Sequence, residues 1–303
     1  MADRIPKTIM GSTTAGPSRR YPGGAGDLLI VDEPLEHVRR LTLNRPEKRN
    51  ALSNALRAQL IDALVEADED DDIRVTIIRG AGSCFSAGYD LGGANVGVEL
   101  PHHTAAGLGH WQRHVTETWM GIWDLAKPVI AQVHGYCLAG GSELATGCDL
   151  VYVADDAKIG YPAVRFGAPD MQFHAWTVGM RTAMEMMLTG DPLTGAQAAE
   201  LGWANRAFPI DRLEEEVLLM AERVARIDPV LAQINKRTVH RQMEVMGIRT
   251  GIRIGTELSA LSVFTPAMDE FMDNVKDKGL TSALQERDEK FSDYRASHDR
   301  NNG

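Results

Sequence analysis

Cysteine is scarce in this chain, with only Cys84, Cys137 and Cys148 among 303 residues. So few and so scattered, they supply neither a disulfide framework nor a zinc site, and they read as small core residues in a reducing compartment. Basic charge is also in deficit: 32 Lys and Arg stand against 42 Asp and Glu, a formal charge of −10. A long-range field of that sign repels phosphate backbones, which argues against nucleic acid as a partner. It leaves room for a local basic patch around one anionic cofactor. No apolar run approaches the ~20 residues that a membrane-spanning helix needs, and residues 1–26 lack the apolar stretch of a secretory signal. No membrane association and a cytoplasmic location are therefore expected. The chain also lacks an internal repeat, and Gly92, Gly93 and Gly97 lack the spacing of a dinucleotide loop, so no nicotinamide cofactor is expected.

What is present is a large apolar share, 44% of residues, ample for a core. Residues 1–26 carry Gly11, Pro17, Pro22, Gly23, Gly24 and Gly26 among small and basic side chains, which predicts a flexible tail outside the fold. Residues 28–32 and 37–43 are short β-prone runs joined through a hairpin-like turn. Ser53 then precedes Leu56, Leu60, Ile61, Leu64 and Val65 at helical spacing, ending in the acidic run 68–72. Residues 73–79, IRVTIIR, form a continuous apolar and β-branched run, the pattern of a strand covered on both faces, and 129–133 and 150–153 repeat it. A helical stretch at 111–125 and a helix opening near Gly140 lie between. Strands alternating with helices predict an α/β core over 27–208, with chemistry gathered at the strand ends. Beyond it, Pro209, Pro229 and Pro266 punctuate helical patterns at 212–226, 230–246 and 256–264, which predict a helical C-terminal region over 209–303.

Two strand ends carry the informative turns. Residues 83–91, SCFSAGYDL, follow the 73–79 strand; small residues let the backbone approach a ligand, and Asp90 is suited to tie the turn through its side chain. Residues 133–145, VHGYCLAGGSELA, run from strand through glycines into a helix, whose first N–H groups and positive dipole end suit developing negative charge. Glu143 projects within that helix's first turn. His134, before the glycines, reads as a backbone holder. His110 and His114 stand four apart on a helix beside His102 and His103, but without a third clear ligand they do not make a metal site.

Together with NRPEKRNAL at 44–52, KPVIA at 127–131 leading into Gly135, and LTGAQAAELG at 193–202, these turns make five motifs in one order and spacing. In them the chain resembles the enoyl-CoA hydratase/isomerase (crotonase) family, from about Leu41 to about Tyr294, and residues 278–291 resemble that family's last helices. The resemblance implies a fold in the α/β class: a crotonase spiral of repeated ββα units, with a helical C-terminal region that packs across subunits in a homo-oligomer, a trimer or a dimer of trimers. It also implies an acyl-CoA thioester as substrate, with coenzyme A entering as part of that substrate and no permanently bound cofactor.

Residue by residue, the resemblance places the thioester carbonyl between the backbone N–H groups of Tyr89 and Gly140. A backbone donor leaves the Tyr89 side chain free to vary. One such donor is worth about 2.7–4 kcal/mol of transition-state stabilisation. Coenzyme A is expected along Lys48, Arg49, Ala51 and Leu52 and along Ala87, Asp90, Leu91 and Gly141, with Lys48 or Arg49 near its phosphates. Glu143 matches the first of the family's two catalytic glutamates. The second falls within 160–167, GYPAVRFG, at Ala163, whose methyl group cannot transfer a proton. Asp170, seven positions on, lies where other superfamily members such as dihydroxynaphthoyl-CoA synthase carry a catalytic aspartate. Glu143 with Asp170 is then the expected acid/base pair, against the alternative of a turn residue after Pro169. His174 and Trp176 read as acyl-pocket lining or as helix packing, and Tyr161 and Arg165 as candidates for the acyl end. The expected activity is reversible water addition to a 2-enoyl-CoA. The alternatives are double-bond isomerisation, C–C bond hydrolysis and acyl-CoA binding without turnover.

Overall fold

The computed structural model describes residues 28–92 and 104–292. The expected N-terminal tail, Gly93, Gly97, His102, His103 and Tyr294 lie outside the described residues. The chain opens with β1 (Leu29–Leu35) and β2 (Val38–Leu43), an antiparallel pair with Leu29 opposite Leu43. Then come α1 (Asn54–Glu69), β3 (Val75–Gly80), α2 (His110–Asp124), β4 (Val129–Val133), β5 (Tyr136–Leu138), α3 (Gly140–Gly147), β6 (Leu150–Ala154) and β7 (Lys158–Gly160). After these follow α4 (His174–Thr177), α5 (Gly179–Thr189), β8 (Leu193–Thr194), α6 (Gly195–Glu200) and β9 (Arg206–Phe208). The last third is α7 (Ile210–Ala225), α8 (Pro229–Val245), α9 (Ile248–Ser259), α10 (Pro266–Lys278) and α11 (Leu280–Glu289). None of the described helices is long and apolar enough to cross a membrane.

One sheet of six strands has the order β1-β2-β3-β4-β6-β9, parallel from β2 onward. Its central strands are buried along most of their length, as their apolar runs require: Ile77, Ile78, Ile130 and Ala131 are sealed from solvent. A second, three-stranded sheet has the order β5-β7-β8. Its strands are two or three residues long, too short to leave a periodic trace in the sequence, and sequence patterning therefore does not reveal it. The chain passes from large sheet to small sheet to helix repeatedly: β4 to β5 to α3, then β6 to β7 and on to α4 and α5. Residues after β3 make the same passage, because Ser86 bridges to Cys137 of β5 before α2 begins.

Helix α1 starts where Ser53 Oγ accepts the Leu56 N–H at 3.2 Å, and it seats Leu56, Leu60 and Leu64 in the core. Each such side chain contributes about 1.5–3 kcal/mol on burial. Helix α7 covers the other face of the large sheet with Leu213, Val217 and Ala221. Helix α8 is fastened by one buried cation: Lys236 lies 2.9 Å from Asp149 Oδ2 and donates to the carbonyls of Ile122 and Lys127. The helix expected at 256–264 is displaced. Helix α9 ends at Ser259 and buries Ile248, Ile252, Thr256 and Ser259, while a 3-10 turn, Ala260–Phe264, follows. The apolar residues that carry the pattern there, Leu258, Leu261 and Phe264, are exposed.

Candidate active site

The backbone half of the site is made where the 83–91 turn pairs with β5. Ser86 N–H donates to the Tyr136 carbonyl and Leu138 N–H to the Ser86 carbonyl, which lays the turn against the start of α3. On its other side Leu52 N–H donates to the Gly88 carbonyl and Asp90 N–H to the Leu52 carbonyl. This alternation leaves the Tyr89 N–H between them without an acceptor among the described residues. The Gly140 N–H, first of α3, is likewise free. The two are neighbours, since a Cβ built on Gly88 would stand 3.4 Å from the Gly140 nitrogen. Gly140 itself has no room for a side chain: a Cβ there would stand 2.5 Å from the Tyr89 ring. Ala139, just before it, is held at φ 48°, ψ −122°, a conformation that costs a non-glycine residue about 1–3 kcal/mol and turns the chain sharply into the helix.

Glu143 is fully buried at the end of that first turn. Its Oε2 accepts from the Tyr89 hydroxyl at 2.5 Å, and the same hydroxyl accepts from Trp119 Nε1 at 2.8 Å. Oε1 accepts the Met171 N–H at 2.9 Å. The Tyr89 side chain is thus not idle, contrary to the expectation that only its backbone matters. It holds the carboxylate because the half-buried phenol gains a partner as the acid does.

Asp170 is buried beside this group, and its Oδ2 accepts from Trp111 Nε1 at 3.1 Å. Its backbone is pinned from both ends: the N–H donates to the Tyr161 hydroxyl, while Thr116 and Thr256 donate to its carbonyl. The side chain therefore turns into the site and does not cap the bend after Pro169. Burial pushes the Glu143 carboxyl up to about 8, assisted by the neighbouring Asp170 charge and opposed by the Tyr89 and Met171 hydrogen bonds. Burial likewise pushes Asp170 up to about 7, opposed by the Trp111 hydrogen bond and the Arg57 charge. The Tyr89 phenol is driven well above its ordinary range by burial and then by Glu143, so it remains a donor.

Little in the sequence points to the side chains that hold this pair. Trp111, Trp119 and Tyr161 are aromatic residues with a polar tip, which find a partner when buried, and two of them lie on one helix. Arg57 offers a clearer signal. It follows Leu56 directly on the apolar side of α1, and it is fully buried, with its guanidinium carbon 4.9 Å from the Trp111 ring centroid and 5.7 Å from that of Tyr89.

The other residues expected at the site are placed as follows. Lys48 and Arg49 are exposed at the mouth of the turn, Arg49 over the Tyr136 ring. Ala51, Leu52 and Ala87 line the same turn, and Leu91 is exposed just beyond it. Asp90 is committed to structure, paired with Arg45 at 2.8 Å and tying the turn through the Gly92 N–H. Gly141 packs its backbone against the Ser86 carbonyl. Ala163 sits in a 3-10 turn, Pro162–Arg165, and presents only its methyl group. His134 holds backbone, with Nε2 2.9 Å from the Gly82 carbonyl. Trp176 packs against Gly251 of α9, whereas His174 is buried between the Phe173 and Tyr161 rings. Arg165 points away from the pair, toward Asp191 and Asp288, and stacks on Phe291. A cavity of about 530 Å³ opens elsewhere, beside α7, but Arg40 and Arg79 in its lining are already paired with Asp32 and Glu214.

Comparison with known proteins places the chain by its sequence and its fold. Residues 34–298 match the enoyl-CoA hydratase/isomerase family. The chain is 33% identical over 267 residues to the 2,3-dehydroadipyl-CoA hydratase of Escherichia coli K12, covering 87% of this chain and 98% of that protein. It is 30% identical over 282 residues to the mitochondrial enoyl-CoA hydratase of Pongo abelii, covering 91% of each. Among solved structures, an enoyl-CoA hydratase/isomerase from Xanthobacter autotrophicus Py2 superposes with a TM-score of 0.79 at 33% identity, over 87% of this chain and 98% of the other. An enoyl-CoA hydratase from Mycobacterium smegmatis gives the same TM-score at 30% identity, over 88% of this chain and 95% of the other. With the family matched over most of its length and the fold shared with these structures, the chain belongs to the enoyl-CoA hydratase/isomerase family.

Proposed function

We propose that this enzyme adds water reversibly across the double bond of a 2-enoyl-CoA, with the thioester oxygen held by the Tyr89 and Gly140 N–H groups. The observation that carries this reading is the adjacency of those two free amides to one buried pair of carboxyl groups. Asp170, whose ionised form Trp111 and Arg57 favour, takes a proton from water as the oxygen bonds to the β-carbon. Charge moves onto the thioester oxygen, where the amides and the α3 dipole stabilise it. Glu143, which burial keeps protonated, gives its proton to the α-carbon. Coenzyme A lies along the 48–52 turn and the 87–91 loop, where Lys48 and Arg49 are exposed for its phosphates.

Incubation with 2-enoyl-, 3-enoyl- and 3-hydroxyacyl-CoA thioesters in heavy-oxygen water tests this directly. The expected product is a 3-hydroxyacyl-CoA carrying one heavy oxygen. A shifted double bond without label would make the enzyme an isomerase, and cleavage to a shorter acid a C–C hydrolase. Tight binding of thioesters without any product would leave only a binding protein. We further propose a trimer or a dimer of trimers, supported by the exposed Val230, Ile234, Val239, Val245 and Phe264 on the C-terminal helices and turn. Light scattering on the purified protein would reveal a monomer if that is wrong.

A further inference from the structure

Arg57 is the charged group that neither the fold nor the acid/base step uses fully. It has no exposed surface, and of its three nitrogens only Nη2 has a hydrogen bond, to Asn54 Oδ1 at 2.7 Å. Nε and Nη1 are buried without an acceptor among the described residues. An unmet buried donor costs stability, and more so when it is charged, so a cation in this state is a poor structural filler. A leucine or methionine would occupy the same stretch of α1 without that cost. The guanidinium lies against Trp111 and Tyr89, the two rings whose polar tips hold Asp170 and Glu143, yet it hydrogen-bonds to neither carboxylate. It therefore borders the site and keeps two donors unspent.

We propose that Arg57 receives a carboxylate at the far end of the acyl chain, so that the preferred substrate is the coenzyme A thioester of a dicarboxylic 2-enoic acid. The proposal rests on the hydratase reading and specifies its substrate class. Charge balance favours an anion over a neutral oxygen. With Glu143 holding its proton, the buried cluster of Glu143, Asp170 and Arg57 carries no excess of negative charge to repel a carboxylate. A guanidinium pairs with a carboxylate through charge-assisted hydrogen bonds roughly twice as strong as neutral ones. The same contact would hold the distal end of the chain and so fix the α- and β-carbons against the carboxyl pair.

The test compares three series of 2-enoyl-CoA thioesters of matched chain length, ending in a carboxylate, a primary amide or a methyl group. At the length that fits, kcat/KM for the carboxylate is expected to exceed both others at least tenfold. In Arg57→Met that preference disappears, and Arg57→Lys retains part of it. A wild-type enzyme that handles methyl-ended chains as well as carboxylate-ended ones at every length overturns the proposal, whether or not the variants fold. So does an Arg57→Met variant that slows all three series by one common factor, which would make Arg57 a support for the carboxyl pair. If no thioester in any series takes up water, the hydratase reading fails instead. Calorimetric binding of saturated thioesters with carboxylate or methyl ends then still reads the Arg57 preference by itself.

Discussion

The two halves of the site are built on different principles. The turns at 86–91 and 139–143 present backbone N–H groups, placed by strand pairing and by glycines that leave no room for a side chain. The wall formed by α1, α2 and the 161–171 segment presents side chains, Arg57, Trp111, Trp119, Tyr161 and Asp170, each placed by its own hydrogen bonds and ring contacts. Backbone donors tolerate a change of residue identity so long as the path of the chain survives. The wall tolerates a change of chemistry less than a change of path. Glu143 joins the two, rising from the backbone half and ending in the wall.

Removing that joint has the largest expected effect. Glu143→Gln keeps the shape and the acceptor for Met171 but cannot deliver a proton, and turnover should fall by about 10²–10⁴-fold. The same variant should be more stable than the parent at high pH. Burial raises the folded-state pKa of Glu143 to about 8, so the wild-type contribution is fully present below about 4.5 and is lost as the pH rises toward 8. Thermal melts at pH 5 and pH 9 check the sign: the Gln variant's advantage must grow with pH.

Gly140→Ala attacks the backbone half next. Its Cβ would stand 2.5 Å from the Tyr89 ring, so either the amide or the ring must move. Loss of one oxyanion donor predicts a drop in kcat of about 10²–10³-fold, measured alongside melting to separate it from unfolding. If turnover survives intact, the oxyanion donors do not lie at residues 89 and 140.

Tyr89→Phe then separates the halves within one residue, since the backbone N–H stays while the hydroxyl goes. Glu143 loses a hydrogen bond that favours its ionised form, so the pH limb that it controls should move upward, with kcat about tenfold lower. An unchanged pH profile would mean that the hydroxyl plays no part in setting the acid.

The two halves were also unequally legible in the sequence. The free amides follow from local pattern: a buried apolar run, then small residues, then a helix start, all visible within about a dozen positions at 73–91 and 129–145. Glu143 is legible for the same reason, because its helix position is fixed from Gly140. The wall is assembled from residues far apart in the chain. Nothing in the pattern around Trp111 says that its indole meets Asp170, 59 positions away, or that Trp119 meets Tyr89. Asp170 is legible through the vacancy at Ala163 and the family resemblance, not through its own surroundings. Arg57 stands beside an apolar stripe in the sequence, yet helical spacing alone does not say whether such a charge faces solvent or core. The three short strands of the small sheet and the start of α9 leave no local trace because tertiary pairing, not local periodicity, decides them.

His174 has the smallest expected effect on turnover, and its effect on stability is confined to the wall. Burial against Phe173 and Tyr161 lowers its imidazole to about 3 from an ordinary 6.5, so the folded protein holds it neutral. Its folded-state pKa is depressed, and the unfolded chain takes up the proton first. The stability that neutral His174 allows is therefore fully present above pH 6.5 and is lost as the pH falls toward 3, at about 1.4 kcal/mol for each unit. His174→Phe, which keeps a ring between the same neighbours, should remove that slope and make the enzyme relatively more resistant to acid. Denaturant midpoints at pH 7 and pH 4 measure it, and parallel losses in the two proteins would mean that the imidazole is already charged in the fold. The backbone half, built from amides that do not titrate, has no counterpart to this sensitivity.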